Sequence, residues 1–250
     1  MAEVDLTYAF SVVEGMGILA GAAGGALDAK RREEYDIFGL TALAFAGALG
    51  GGLLRDVLIN AGVPAAFTEE LYLPLVLAVA LVIAVLPGEL GPRSKTVIRV
   101  FDAVAIGAFS VVAADRAHDA GFTILACLLL GVIGGIGGLL MRDVLTASQP
   151  EVFRRGELNG IAALAGAGLF IALLEAGVAR PYPAIAGIAA GFILRLAALQ
   201  WDLKAPAPRR PRGPAPGERP LMVAIATTKG RSPRRRPLAR PRRRWQTGRR

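Results

Sequence analysis

Hydrophobic positions fall in seven blocks, Tyr8 to Leu27, Ile37 to Ile59, Leu71 to Leu86, Val97 to Ala114, Phe122 to Leu145, Leu158 to Leu174 and Tyr182 to Leu199, with charged or turn-forming residues between them. Most blocks approach the ~20 residues a membrane-spanning helix needs. The pattern therefore predicts an all-α integral membrane protein with seven transmembrane helices. The shortest block starts after Glu69-Glu70 and stops at Pro87-Gly88, so it is expected to cross a thinned region or to be shielded by neighbours.

Inside two of these blocks the same motif recurs. Gly51-Gly52-Leu53-Leu54-Arg55-Asp56-Val57-Leu58 returns as Gly138-Leu139-Leu140-Met141-Arg142-Asp143-Val144-Leu145, with both charged positions displaced by 87 residues. That is an internal repeat. Three blocks fit in the offset, an odd number, so the second copy must enter the membrane in the opposite direction. The expected architecture is two inverted three-helix repeats, about 8–87 and 97–175, followed by a seventh helix at about 182–200, all within a membrane domain of residues 1–203. A charge on a helix in hydrocarbon costs roughly 2.5–3.5 kcal/mol on insertion scales, and placing an Arg-Asp pair there twice argues for a pathway through the membrane.

Composition agrees: 54% of the residues are hydrophobic and the mean hydropathy is +0.49, more apolar surface than a soluble chain of 250 residues would cover. The net charge of +9 conceals a division, because residues 204–250 carry 16 of the 29 Lys and Arg and only Glu218 among the 20 acids. That Pro/Arg-rich tail reads as disordered, with anionic lipid headgroups as its nearest partner and no nucleic acid expected. Cys127 stands alone in the middle of a block, and no metal-ligand spacing or cofactor motif occurs. Glu3 and Asp5 precede the first block, which is unlike a signal peptide, so it is read as a retained helix.

Orientation follows from the loops. Lys30, Arg31 and Arg32, then Arg93 and Lys95, then Arg154 and Arg155 all fall on one side, whereas Arg116 and Arg180 lie on the other. Positive-inside places the N-terminus outside and the C-terminus in the cytoplasm, as for a multi-pass plasma-membrane protein.

The glycines admit two readings. Gly17, Gly21 and Gly25, or Gly131 and Gly135, are spaced for close helix packing. For the runs Gly50-Gly51-Gly52 and Gly137-Gly138 a functional break is expected instead, since three glycines in a row cost roughly 2–3 kcal/mol against alanine. Arg55 and Asp56 are neighbours that point about 100° apart on a helix, so their partners are expected on other helices. For Arg55 and Arg142 the candidate partners are Glu14 and Asp102, near the start of the first helix of each repeat. A structural ion pair and a permeation role are both open. His118 is assigned no role.

These residues resemble the trimeric intracellular cation (TRIC) channels and their bacterial relatives, which also carry the labels UPF0126 and glycine transporter domain. The resemblance runs from about Phe10 to Trp201. It rests on the GALGGGLLRDVL stretch from Gly47, its spacing from Asp36-Ile37-Phe38-Gly39, the GGIGGLLMRDVL stretch from Gly134, and Phe153-Arg154-Arg155-Gly156-Glu157. It implies two inverted repeats plus a seventh helix, a homotrimer with one pore per protomer, and helices that bend at their glycines. By the same resemblance Gly50, Gly51, Gly52, Arg55, Asp56, Gly137, Gly138, Arg142 and Asp143 belong to the pore and its gating. Leu139 departs from the pattern, standing where a third glycine is usual, and Glu14 replaces an aspartate.

Two functions fit. One is a monovalent cation channel, most plausibly for potassium, and the resemblance favours it. The other is a secondary transporter of glycine or another small amino acid, in which arginine would hold the carboxylate and an acid the ammonium. A structural scaffold does not account for repeated intramembrane charges, and an enzyme would need a nucleophile or general base that the chain lacks.

Overall fold

The computed structural model describes residues 2–87, 91, 93–153, 158–201 and 203, and of residues 2–10 the backbone alone. The basic tail at 204–250 and the Arg154 to Glu157 stretch lie outside the described residues.

Among the described residues the chain forms eight α-helices: α1 (Ala2–Arg32), α2 (Ile37–Ile59), α3 (Ala65–Thr68), α4 (Tyr72–Val85), α5 (Ser94–Asp119), α6 (Ile124–Leu145), α7 (Asn159–Glu175) and α8 (Pro181–Gln200), with one 3-10 turn at Glu151–Phe153. The seven long helices correspond to the seven apolar blocks, and α2 has the bounds read from the sequence. Its start is set by Asp36, whose Oδ1 accepts the Gly39 amide at 2.8 Å. The short α3 and the 3-10 turn are additions that no apolar run announced.

Five of these helices are long and apolar enough to cross a bilayer unaided: α1 from Ser11, α2, α5, α6 and α8. The helices α4 and α7, with 14 and 17 residues, are shorter. At 1.5 Å per residue α4 covers only about 21 Å of a hydrocarbon core of about 30 Å. One of its faces is covered, with Val76, Ala80 and Ile83 buried, while Leu77, Leu81 and Val85 are exposed as lipid contact requires. Its last carbonyls do not end bare in hydrocarbon, because Lys30 donates from Nζ to Ile83 O at 2.9 Å and Leu86 O at 2.5 Å.

The two repeats pack alike. Within the first, α1, α2 and α4 touch one another; within the second, α5, α6 and α7 do the same; α1 meets α5, α2 meets α6, and α8 lies against α5 and α7. This is the all-α membrane fold of two three-helix repeats plus a seventh helix.

The glycine runs correct the expected break, for α2 and α6 continue as helix through both. The runs are where the two helices cross. A Cβ on Gly51 would collide with Gly134 O, one on Gly138 with Gly47 O, and one on Gly137 would come within 2.8 Å of Gly51 Cα. Only glycine lets two backbones meet this closely. Gly21 and Gly25 bring α1 onto α2 in the same way, against Gly47 O and Leu43 O.

Candidate functional site

The α2/α6 crossing carries Arg55 and Arg142 to opposite ends of the seam between α1 and α5. Each cation is buried, at 1% and 5% exposure, so each needs a partner. Arg142 grips Asp102 with Nη1 and Nη2, both at 3.1 Å, and its Nε lies 4.0 Å from Asp28. Asp28 in turn accepts from Arg31 and Arg32, each at 3.1 Å. Arg55 donates from Nη1 to Glu14 at 3.2 Å and from Nε to its neighbour Asp56 at 2.7 Å. The first pairing is the cross-helix one expected. The second corrects the view that the neighbours cannot pair: the arginine is long enough to fold back across the 100° arc.

Sequence reading missed a second cation at this end. Arg116 reaches from α5 to Glu14 Oε2 at 2.6 Å and lies 3.9 Å from Asp56. The signal was present, because Glu14 and Asp102 differ by 88 in number and so do Asp28 and Arg116. At one end the equivalent position is an acid, and at the other a cation.

Both aspartates of the repeated motif use their remaining oxygen alike. Asp56 Oδ2 accepts the Ala65 amide at 2.9 Å, and Asp143 Oδ2 accepts the Glu151 amide at 2.8 Å. In each case the donor follows a proline, Pro64 or Pro150. Each carboxylate therefore ties the end of its helix to the short turn that follows. These amides carry no side-chain signature, so the sequence did not show them.

The two ends differ in openness. The Arg142 end opens into a cavity of about 500 Å³ lined by polar groups, among them Asp28, Arg31, Arg32, Lys95, Asp102 and Asp143. The Arg55 end encloses only about 10 Å³, walled by Glu14, Ile18, Arg55, Ala66, Tyr72 and Phe109. That is room for about one water. Along α1 the clusters are separated by the rise from Glu14 to Asp28, about 21 Å. Asp102 lies against Gly24, where a Cβ would be 2.8 Å from its Oδ1.

Gly50 faces Met141 at the crossing, whereas Gly52 would meet only Arg55, at 3.6 Å. Leu139, equivalent to Gly52 by the 87-residue offset, is buried beside Ile106, Ile136 and Ala162. The third glycine is thus the one position of the run where close approach is not required, which is why leucine fits there. Near the Arg55 end, Arg180 pairs with Asp119 and lies 3.5 Å from Asp115, while His118 Nε2 lies 3.0 Å from Glu175. The hydrogen bond that Arg180 donates to Asp119 pushes the guanidinium above its ordinary range. Among the described residues no cluster of His, Cys, Asp and Glu is arranged to hold a metal.

Comparison with known proteins agrees with this geometry. The family model described as glycine transporter matches the chain twice, at residues 11–87 and 99–175, once per repeat. A UPF0126 membrane protein of Deinococcus radiodurans is 34% identical over 170 residues, 65% of this chain and 78% of its own. The UPF0126 inner membrane protein YadS of Escherichia coli K12 is 32% identical over 68% of this chain and 83% of its own. Among solved structures, the TRIC trimeric intracellular cation channel orthologue of Rhodobacter sphaeroides superposes with a TM-score of 0.70 at 32% identity, covering 78% of this chain and 98% of that one. A prokaryotic TRIC channel solved in 0.5 M KCl, 24% identical, shares the fold with a TM-score of 0.72 over 81% of this chain and 98% of its own. On both the doubled match and the length of the relatives covered, this multi-pass membrane protein belongs to the UPF0126/TRIC family.

Proposed function

We propose that the protein is a monovalent cation channel, selective in favour of potassium, with a pore in each protomer of a homotrimer. The observation that carries the reading is the pair of buried charge clusters at the two ends of the α1/α5 seam, the Arg142 cluster facing an open cavity and the cluster of Glu14, Arg55, Asp56 and Arg116 facing an enclosed one. Asp28, Asp102 and Asp143 line the open vestibule beside Arg31, Arg32, Lys95, Arg99 and Arg142, so a hydrated cation meets acids whose pull is offset and is not trapped there. The kinship with the R. sphaeroides orthologue supports the assignment. Gly50, Gly51, Gly137 and Gly138 act by setting the helix crossing that holds the two arginines in place, whereas Gly52 faces Arg55 alone.

The vestibule collects Lys30's neighbours Arg31 and Arg32 with Lys95 and Arg99, and positive-inside makes that end cytoplasmic. The N-terminus is then outside and the C-terminus inside, where the basic tail meets anionic lipid.

A route open at one end and closed at the other also suits an alternating-access transporter, and the vestibule offers an arginine for a carboxylate and acids for an ammonium. Planar-bilayer recording of the purified protein in asymmetric potassium chloride separates the two, with glycine uptake into proteoliposomes run alongside. Unitary currents reversing near the potassium potential establish the channel. Saturable glycine uptake with no unitary current overturns it in favour of the transporter.

A further inference from the structure

The closed end must open for any ion to pass, and its walls differ in how firmly they are held. Helices α1 and α2 are locked backbone to backbone, by Gly21 against Gly47 O and Gly25 against Leu43 O, and α2 is locked to α6 by Gly51 against Gly134 O. Phe109 of α5 rests on Gly17 of α1, where a Cβ would stand 2.9 Å from Cε1. Each of these contacts is already close-packed. The four residues of α3 are the exception. Ala65 and Ala66 line the enclosed space, and Ala66 is only 5% exposed. Yet the segment is joined to α2 through Asn60 and Gly62, both in the left-handed region at φ 59° and 81°, and a Cβ on Gly62 would meet nothing.

What holds this turn down is Asp56. Its Oδ2 takes the Ala65 amide at 2.9 Å while its Oδ1 takes Arg55 Nε at 2.7 Å, with Arg116 at 3.9 Å. One carboxylate, 2% exposed, thus joins the charge cluster to the turn above it. The equivalent turn at Glu151–Phe153 is latched in the same way by Asp143, but Glu151 stands at the wall of an open vestibule. The latch is common to both ends, and only at the Arg55 end does the latched turn close a path.

We propose that α3 is a lid over the outer mouth, hinged at Asn60 to Pro64, and that Asp56 is the positioning residue that keeps it shut until the Glu14–Arg55–Arg116 cluster rearranges. The inference rests on the reading of the α1/α5 seam as the route. Weakening the cluster draws Asp56 Oδ1 away, the Ala65 amide loses its acceptor, and the turn lifts from above Tyr72 and Ile18.

The test is labelling of Ala66→Cys by a membrane-impermeant maleimide in proteoliposomes, in a Cys127→Ala background, with potassium flux measured on the same vesicles. With Asp56 intact, the thiol at position 66 is expected to react slowly. Asp56→Ala should speed labelling at least ten-fold, and Asp56→Asn, which keeps an oxygen for the Ala65 amide but turns its amide nitrogen toward Arg55 Nε, should fall between the alanine variant and the parent. A Gln149→Cys control in the open vestibule, labelled on the oppositely oriented fraction of the protein, should react equally in all three, which establishes that each variant is folded. Equal labelling of position 66 in Asp56→Ala and parent overturns the lid, as does slower labelling in Asp56→Asn than in the parent. Potassium flux absent from every variant, with the labelling pattern as expected, would overturn the channel and leave the lid standing.

Discussion

Arg142 holds Asp102 through two parallel hydrogen bonds of 3.1 Å, one from each terminal nitrogen, between side chains that are both about 95% buried. A forked pair of this kind fixes the angle between α5 and α6 as well as balancing charge. Removing one member leaves the other uncompensated in a low-dielectric interior, at a cost of about 3–5 kcal/mol. Arg142→Ala is therefore expected to lower stability by that amount in a mixed-micelle denaturation series. The Asp102→Ala/Arg142→Ala double variant should recover at least half of the loss. A single-variant loss under about 1 kcal/mol would show that the pair contributes little to the fold.

The glycine runs separate packing from hinge function at single positions. Gly51→Ala drives a methyl group into Gly134 O, and overpacking of a tight crossing costs about 1–3 kcal/mol. Gly52→Ala meets only Arg55 Nη2, at 3.6 Å, an ordinary van der Waals separation, and gains helix propensity of up to about 1 kcal/mol. Thermal unfolding in detergent should thus show Gly51→Ala destabilised and Gly52→Ala unchanged or stabilised. Loss of conduction in both variants alike, with stability retained, would point to a hinge instead.

The sequence carried the fold well, because membrane helices announce themselves by block hydrophobicity and the repeated Arg-Asp motif disclosed the two halves. It carried the site in part. Glu14 and Asp102 were legible as partners because a buried arginine requires an acid and few acids were within reach. The glycine runs were misread as breaks, since the cost of three glycines is offset by a backbone crossing that involves the other copy of the motif, visible only in three dimensions. The second oxygen of Asp56 and of Asp143 binds a main-chain amide, a donor that every residue except proline has, so no residue type could flag it.

Ala147 ends α6 at φ 49°, and the equivalent residue at the end of α2 is Asn60 at φ 59°. In both turns the carbonyl of the motif aspartate accepts the amide five residues on, Ser148 or Ala61. Asparagine tolerates the left-handed region and alanine does so with strain. Ala147→Gly is accordingly expected to stabilise the protein by about 0.5–1 kcal/mol, and Asn60→Ala to cost a similar amount, both read from denaturation midpoints. Destabilisation by Ala147→Gly would mean that the alanine methyl makes a contact outweighing the backbone strain.

Arg116 and Asp28 occupy equivalent places with opposite charge, and the end that carries Arg116 encloses about 10 Å³ where the end that carries Asp28 opens into about 500 Å³. Arg116 bridges Glu14 of α1 and Asp56 of α2, so it ties the acid that holds α3 into the cluster beneath the mouth, whereas Asp28 faces Arg142 and leaves the vestibule clear. A charge-assisted hydrogen bond to a buried acid is worth about 1.5–3 kcal/mol, and with the Arg116 side chain 37% exposed the lower end applies. Losing about 1.4 kcal/mol from the closed state shifts a closed-open equilibrium about ten-fold. In bilayer recordings Arg116→Gln is expected to raise open probability by roughly that factor. Arg116→Asp, which gives the outer end the inner end's charge, should raise it further by repelling Glu14. An open probability equal to the parent in both would mean that the mouth is closed by packing of Ile18, Phe109 and Tyr72 and not by the bridge.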